Sequence, residues 1–127
     1  MRNTCKGLID YIALHYSCVA EAGIGHFPDV AVALVERGIR VLATDIKSFE
    51  HCGLKVTVDD ITQPDLSLYS AIDLLYSLRP PPELVPYMSR LARKLSVDLI
   101  VKPLASEHPG GRLTRYESTT FFLWNFS

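Results

Sequence analysis

Cysteine is scarce in this sequence, and no two cysteines form a Cys-x-x-Cys pair. Cys5, Cys18 and Cys52 are far apart, which argues against both a disulfide framework and a redox motif. His15 and His51, which stand near two of these cysteines, do not complete two ligand pairs at zinc-like spacing, so we predict no metal site. This cysteine usage is typical of a reducing cytoplasm, which is the localisation that we expect.

Long apolar runs and clusters of one charge are also missing. No segment approaches membrane-spanning length, and Asp10 interrupts the first apolar run too early for a signal peptide. Thirteen Lys and Arg stand against fourteen Asp and Glu without a basic cluster, so we expect neither direct nucleic-acid binding nor a membrane partner. With 48% hydrophobic and 21% charged residues, residues 1–127 are expected to form a single domain with its own core.

A glycine turn between a strand and a helix is the most informative feature that the sequence does have. The apolar run Cys18–Ala22 predicts a strand. Gly23 and Gly25 predict a tight turn after it, and Pro28 suits the first position of a helix. Asp45, twenty positions after Gly25, ends the next apolar run, where a carboxylate can accept hydrogen bonds from ribose hydroxyls. The alternative is an ordinary glycine turn and a solvated aspartate, but the order of the elements favours a nucleoside site.

A missing glycine and the charge of the predicted pocket indicate the class of nucleoside ligand. A dinucleotide site needs a third glycine near the pyrophosphate, and Pro28 stands at that position. No lysine or arginine lies between Val19 and Glu36. The acids expected around the pocket are Glu21, Asp29, Asp45, Asp59 and Asp60. Because negative charge favours a cation such as a sulfonium, the sequence indicates S-adenosylmethionine and disfavours a nicotinamide dinucleotide.

The segment Glu-Ala-Gly-Ile-Gly-His-Phe, residues 21–27, resembles the first motif of the S-adenosylmethionine-dependent methyltransferase superfamily, which has a Rossmann-like fold. Phe27 stands where a further glycine is usual in that motif. The resemblance implies that the motif acid and its two glycines belong to the cofactor site and that the acid of the second strand takes the ribose. It also implies that two residues after the third strand border the adenine. The cofactor-binding residues predicted in this way are Glu21, Gly23, Gly25, Asp45, Asp60 and Ile61.

More narrowly, the chain resembles a family of short, uncharacterised archaeal proteins. The features that carry this resemblance are the glycine turn and a later Ser-Leu-Arg-Pro-Pro-Pro-Glu-Leu segment, residues 77–84. The resemblance covers nearly the whole chain, and because the function of these proteins is unassigned, it supports the fold more than an activity.

The predicted fold is an α/β three-layer sandwich of the Rossmann-like kind. We expect strands over residues 18–22, 39–44, 54–58, 71–77, 97–102 and 118–126, and helices beginning after Thr4 and over residues 29–37 and 82–95. Residues 46–53 are expected to be a trimmed crossover and residues 103–111 a loop. Right-handed crossovers give a mostly parallel sheet of order 3-2-1-4-5-6 with an antiparallel last strand. This order opens a crevice between the first and fourth strands at their carboxyl ends.

The segment after the fourth strand carries the predicted catalytic residues, Ser77 and Arg79. Methyltransferases of the superfamily often place acceptor-orienting residues here, although the amino-methylating members have Asn or Asp where this chain has Ser77. Arg79 could hold an anionic acceptor by paired hydrogen bonds. In the alternative interpretation the prolines stiffen the loop and Arg79 pairs with a surface acid.

Two hypotheses of function follow. The first is a small methyltransferase that binds S-adenosylmethionine and a small-molecule acceptor. The second is a non-catalytic module that binds a nucleoside or NAD and acts through a partner protein. The shortness of the chain favours the second, because such enzymes usually recognise their acceptors with additional segments. The sequence does not indicate an oligomeric state.

Overall fold

A mixed β-sheet forms the centre of the fold. In the part of the chain that this computed structural model describes, residues 5–51, 53–104 and 107–127, seven strands pair in the order β3-β2-β1-β4-β5-β7-β6. They are β1 Cys18–Ala22, β2 Arg40–Asp45, β3 Val56–Val58, β4 Leu74–Leu78, β5 Asp98–Lys102, β6 Arg112–Tyr116 and β7 Thr119–Trp124. The first five strands are parallel, whereas β7 is antiparallel to β5 and β6. The predicted fold class, strand order and antiparallel last strand are confirmed.

Helices cover both faces of the sheet. Helices α1 (Lys6–His15) and α2 (Asp29–Glu36) pack on one face, where Leu8, Ile12 and Leu34 are fully buried. Helix α3 (Val85–Leu95) packs on the other face through Met88 and Leu91. Within the described ranges, no helix is long and apolar enough to cross a membrane.

The extra strand β6 is the main departure from the predicted topology. It forms a hairpin with β7, the predicted last strand, and it lies at the edge of the sheet with its residues mostly exposed. Its sequence, Arg-Leu-Thr-Arg-Tyr, has too few apolar residues to show the pattern of a buried strand. The turn also lacks the usual glycine or asparagine. Glu117 adopts the left-handed conformation there instead, with a positive φ of 55°.

Several element boundaries differ from the predicted ones. The fourth strand begins at Leu74 rather than at residue 71, because Asp73 turns its carboxylate to the backbone amides of Ser17 and Cys18. The predicted helix over residues 82–95 begins with a 3-10 turn, Pro82–Leu84, before α3. Helix α2 ends at Glu36, one residue before the predicted end, and Gly38 follows it at a left-handed φ of 84°. Thr4, the predicted cap of α1, lies outside the described residues.

Candidate functional site

A cavity of about 430 Å³ opens at the carboxyl ends of β1, β2 and β4. This is the crevice that the strand order predicts, because the chain crosses over in opposite directions on the two sides of β1. Its volume is in the range of small-molecule and cofactor sites. The cavity, called the first cavity below, is lined by Ala22, Gly23, Thr44, Asp45, Ile46, Asp59, Asp60, Ile61, Thr62, Ser77, Leu78, Arg79, Pro80, Pro81, Leu84 and Met88.

The glycine turn leaves the wall of the first cavity open. Gly23 has a φ of 72° and Gly25 a φ of 54°, a conformation that other residues adopt only at a cost. The amides of Gly23 and Ile24 donate to the Thr44 carbonyl oxygen at 2.9 and 3.1 Å, which holds the turn against β2. A Cβ atom on Gly23 would meet only the Ser77 Oγ, at 4.0 Å, among the described atoms. Phe27 does not occupy this space, since it packs on the α1 and α2 face of the sheet.

Asp45 fixes the glycine turn as well as facing the first cavity. Its Oδ2 accepts a hydrogen bond from the Gly25 amide at 2.9 Å, and its Oδ1 accepts one from the Lys47 amide at 3.0 Å. A carboxylate can accept about four hydrogen bonds. Asp45 therefore keeps acceptor capacity for a ligand while it positions the turn.

A short turn after β3 supplies another wall of the first cavity. The Asp60 Oδ1 accepts hydrogen bonds from the amide and the hydroxyl of Thr62, at 2.9 and 2.7 Å, which hold the pKa of Asp60 below its usual value. Ile61, between them, also lines the cavity. Asp59 has a structural role, because its carboxylate accepts hydrogen bonds from the Tyr69 hydroxyl at 2.6 Å and the Asp65 amide at 3.0 Å.

The two predicted catalytic residues lie at the end of β4. The buried Ser77 hydroxyl donates to the Ala22 carbonyl oxygen at 2.7 Å, so it joins β4 to β1 beside the glycine turn. Arg79 is exposed, and its guanidinium lies 5.7 Å from the ring centre of Phe27. Among the described residues, no carboxylate comes within 4.0 Å of that guanidinium. The surface ion pair of the alternative interpretation is therefore not seen for Arg79.

Glu21 lies behind the first cavity rather than in its wall. Because side chains alternate along a strand, the Glu21 carboxyl points to the opposite face of the sheet from Ala22. There it is 1% exposed and accepts a hydrogen bond from the Tyr76 hydroxyl at 2.7 Å. Burial raises the pKa of Glu21 to about 8, although the Tyr76 hydrogen bond acts in the other direction. Of the predicted cofactor residues, Gly23, Asp45, Asp60 and Ile61 line the cavity, Gly25 joins it through Asp45, and Glu21 does not reach it.

Residues 5–125 match the model of an uncharacterised protein family, UPF0146. The chain belongs to UPF0146. It is 41% identical to a UPF0146 protein of Archaeoglobus fulgidus over 120 residues, which is 91% of each chain. It is 39% identical to a UPF0146 protein of Methanocaldococcus jannaschii over 112 residues, which is 83% of this chain and 81% of the relative. The predicted membership of a family of archaeal proteins is confirmed.

Solved structures with this fold include methyltransferases. The sugar N-methyltransferase KedS8 from Streptoalloteichus superposes with a TM-score of 0.59 at 11% identity, over 88% of this chain and 54% of that chain. A Burkholderia thailandensis 1,6-didemethyltoxoflavin-N1-methyltransferase, with S-adenosylhomocysteine bound, gives a TM-score of 0.55 at 16% identity, over 97% of this chain and 61% of that chain. A candidate Zn-dependent alcohol dehydrogenase from Rhodobacter sphaeroides gives 0.56 at 17% identity, over 72% of this chain and 42% of that chain. The UPF0146 chain spans roughly half the length of these proteins, and the likeness establishes the fold alone.

One residue that supports the glycine turn could not be found from the sequence. The His51 Nε2 forms a hydrogen bond of 2.8 Å with the Gly25 carbonyl oxygen, and the His51 ring stacks on Phe49 at 5.9 Å. These contacts pack the crossover after β2 against the glycine turn. A lone histidine in a segment without periodicity carries no signal of such a role. Cys52, its neighbour in the sequence, lies outside the described residues, and no three potential ligands converge on a metal position among the residues that are described.

Proposed function

We propose that this UPF0146 protein binds S-adenosylmethionine in the first cavity and serves as a small methyltransferase. The observation that carries the proposal is the open glycine turn joined to Asp45. Gly25 and Asp45 are held together at 2.9 Å, and the space beside Gly23 is free of described side chains nearer than 4.0 Å. A bare backbone beside a carboxylate is suited to a ligand that has both an adenosine and a charged aliphatic arm.

The charge of the cavity wall supports a cationic ligand. Three carboxylates line the first cavity, those of Asp45, Asp59 and Asp60, against one guanidinium, that of Arg79. A pyrophosphate placed in this wall would meet like charges, whereas a sulfonium or an ammonium would meet opposite ones. Pro28, at the position of a third glycine, adds to the case against a dinucleotide.

The residues of the chain would bind and orient the reactants. S-adenosylmethionine supplies, when bound, an electrophilic methyl group on a positively charged sulfur. Transfer of such a group depends mainly on alignment of donor and acceptor, so a catalytic base is not always required. Asp60 and Ile61 would border the adenine, Asp45 would accept from the ribose, and Ser77 with Arg79 would face the acceptor at the end of β4.

Calorimetric titration tests this proposal. We expect S-adenosylmethionine and S-adenosylhomocysteine to bind and NAD not to bind. Asp60→Asn should weaken binding roughly threefold to tenfold, because it removes a charge while the amide oxygen still accepts from Thr62. Asp29→Asn is the matched control, since Asp29 is exposed at the start of α2 and does not line the first cavity.

Two results would contradict the proposal. Binding of NAD without binding of S-adenosylmethionine would favour the nucleotide-binding module. Equal losses in Asp60→Asn and Asp29→Asn would place the ligand elsewhere. Transfer of a labelled methyl group to small molecules of a cell extract then distinguishes an enzyme from a module that binds the cofactor and acts through a partner protein.

A further inference from the structure

A second cavity lies on the other side of the β4 end from the first. Its volume is about 250 Å³, and it is lined by Cys5, Phe27, Leu78, Arg79, Lys102, Pro103 and Leu104. Leu78 and Arg79 line both cavities. The two cavities therefore meet at the end of β4, the segment in which methyltransferases of the superfamily often place acceptor-orienting residues.

The charges of the two cavities are opposite. Among the described residues, the second cavity is lined by two basic residues and no acid. The Lys102 ammonium donates one hydrogen bond, to the Thr120 carbonyl oxygen at 2.7 Å, and keeps two protons for other acceptors. No carboxylate of the described residues lies within 4.0 Å of Arg79. Two basic residues thus line one small cavity, and no acid stands beside them in the described part of its wall.

The backbone holds these two residues together at a cost. Arg79 has a positive φ of 52°, which costs a residue with a side chain about 1 to 2 kcal/mol. Its amide donates to the Lys102 carbonyl oxygen at 2.7 Å, which fixes the end of β4 to the end of β5. A glycine would adopt this conformation more easily. An arginine at such a position indicates a use for its side chain.

The start of helix α1 contributes a smaller positive potential to the second cavity. Cys5 is the N-cap of this ten-residue helix and lines the second cavity. The Cys5 side chain makes no capping hydrogen bond, and the first turn of the helix contains no acid. The partial positive charge of a helix N-terminus favours an anion.

We propose that the second cavity binds the carboxylate of a small organic acid and that it anchors the anionic end of the acceptor. The role of this ligand as a methyl acceptor rests on the proposed function, whereas the anion site itself rests only on the second cavity. Arg79 suits a carboxylate because its planar fork can donate two parallel hydrogen bonds. The apolar side chains of Phe27 and Leu78 suit the hydrocarbon part of the ligand.

Backbone amide shifts can test the site with simple probes. Benzoate is the anionic probe, benzamide its neutral counterpart and inorganic phosphate an anion without an apolar part. We expect benzoate to shift the amides of Leu78 and Lys102 and benzamide and phosphate to bind at least fivefold more weakly. S-adenosylhomocysteine, titrated separately, should shift the amides of Gly23 and Thr44 instead.

Two substitutions of Arg79 distinguish the effect of its side chain on binding from the effect of its backbone conformation on stability. Arg79→Gln should weaken benzoate binding roughly tenfold. Arg79→Gly should weaken it equally and leave the protein as stable as the wild type or more stable, because it relieves the positive φ. Arg93→Gln is the matched control, since Arg93 is an exposed arginine that lies 4.8 Å from the ring of Phe126, away from both cavities.

The outcomes distinguish this inference from the proposed function. Equal binding of benzoate and benzamide, equal binding of phosphate, or an effect of Arg93→Gln as large as that of Arg79→Gln would overturn the carboxylate site. If the carboxylate site fails while S-adenosylhomocysteine shifts Gly23 and Thr44, the proposed function stands alone. If S-adenosylhomocysteine has no effect while benzoate binds through Arg79, the anion site stands and its role for an acceptor is overturned.

Discussion

Replacement of Glu21 by glutamine should change how the stability of this protein depends on pH. Glu21 is buried beside β4, and burial raises its pKa from 4.5 to about 8. The folded protein therefore keeps a proton on this carboxyl over a pH range in which the unfolded chain has lost it. Linkage then requires that the wild type lose stability as the pH rises from 4.5 towards 8.

The size of this loss follows from the separation of the two pKa values. Each tenfold fall in proton concentration within that interval costs about 1.4 kcal/mol. Between about pH 5 and about pH 8, Glu21 should lower the free energy of unfolding by roughly 3 to 4 kcal/mol. That is a large share of the roughly 5 to 15 kcal/mol that stabilises a typical domain. Glutamine carries no proton equilibrium, and its side-chain oxygen can still accept the hydrogen bond from Tyr76.

Urea unfolding at about pH 5 and about pH 8 measures this effect. Relative to that of the wild type, the free energy of unfolding of the Glu21→Gln variant should rise by roughly 3 to 4 kcal/mol from the lower to the higher pH. Glu36→Gln is the matched control, because Glu36 is exposed at the end of α2 and should leave the wild-type dependence unchanged. A Glu21→Gln variant with the same pH dependence as the wild type would refute the buried, protonated carboxyl.

Two further predictions concern packing and the glycine turn. Gly7→Ala should destabilise the protein by about 1 to 3 kcal/mol despite the helix propensity of alanine, because its Cβ would lie 2.7 Å from the Thr119 Oγ1. Gly38→Ala should cost less, about 1 kcal/mol, since its Cβ meets open space and only the φ of 84° is unfavourable, and thermal unfolding that ranks the two variants the other way round would refute this packing argument. Asp45→Ala should lose both of the backbone hydrogen bonds that the Asp45 carboxylate accepts, so amide exchange at Gly25 should become faster and binding of S-adenosylhomocysteine weaker. Unchanged exchange at Gly25 would show that Asp45 does not hold the turn.

The sequence predicts those parts of the site that depend on backbone conformation. Gly23 and Gly25 have the positive φ that the turn needs, and Asp45 stands where a strand end must bring it. These features are local, and the strand order brings them together by general rules of chain crossover. The crevice between β1 and β4 is therefore predictable without any knowledge of the packing.

Features that depend on side-chain direction or on edge pairing could not be predicted in this way. Glu21 belongs to the glycine motif by position, but the alternation of β1 turns its carboxyl to the opposite face, onto Tyr76. The hairpin of β6 has no glycine at its turn and little apolar content. The second cavity is lined by Arg79 and Lys102, which are 23 positions apart in the sequence. The backbone hydrogen bond that holds them together depends on the parallel pairing of β4 and β5.

A titration of the labelled protein with S-adenosylhomocysteine, followed by backbone amide shifts, tests the central claim most directly. The account predicts that Gly23, Gly25, Asp45 and Asp60 shift together at one affinity, because the turn and both acids border the first cavity. Amides that stay unchanged at saturating ligand, or that shift only with NAD, would contradict it.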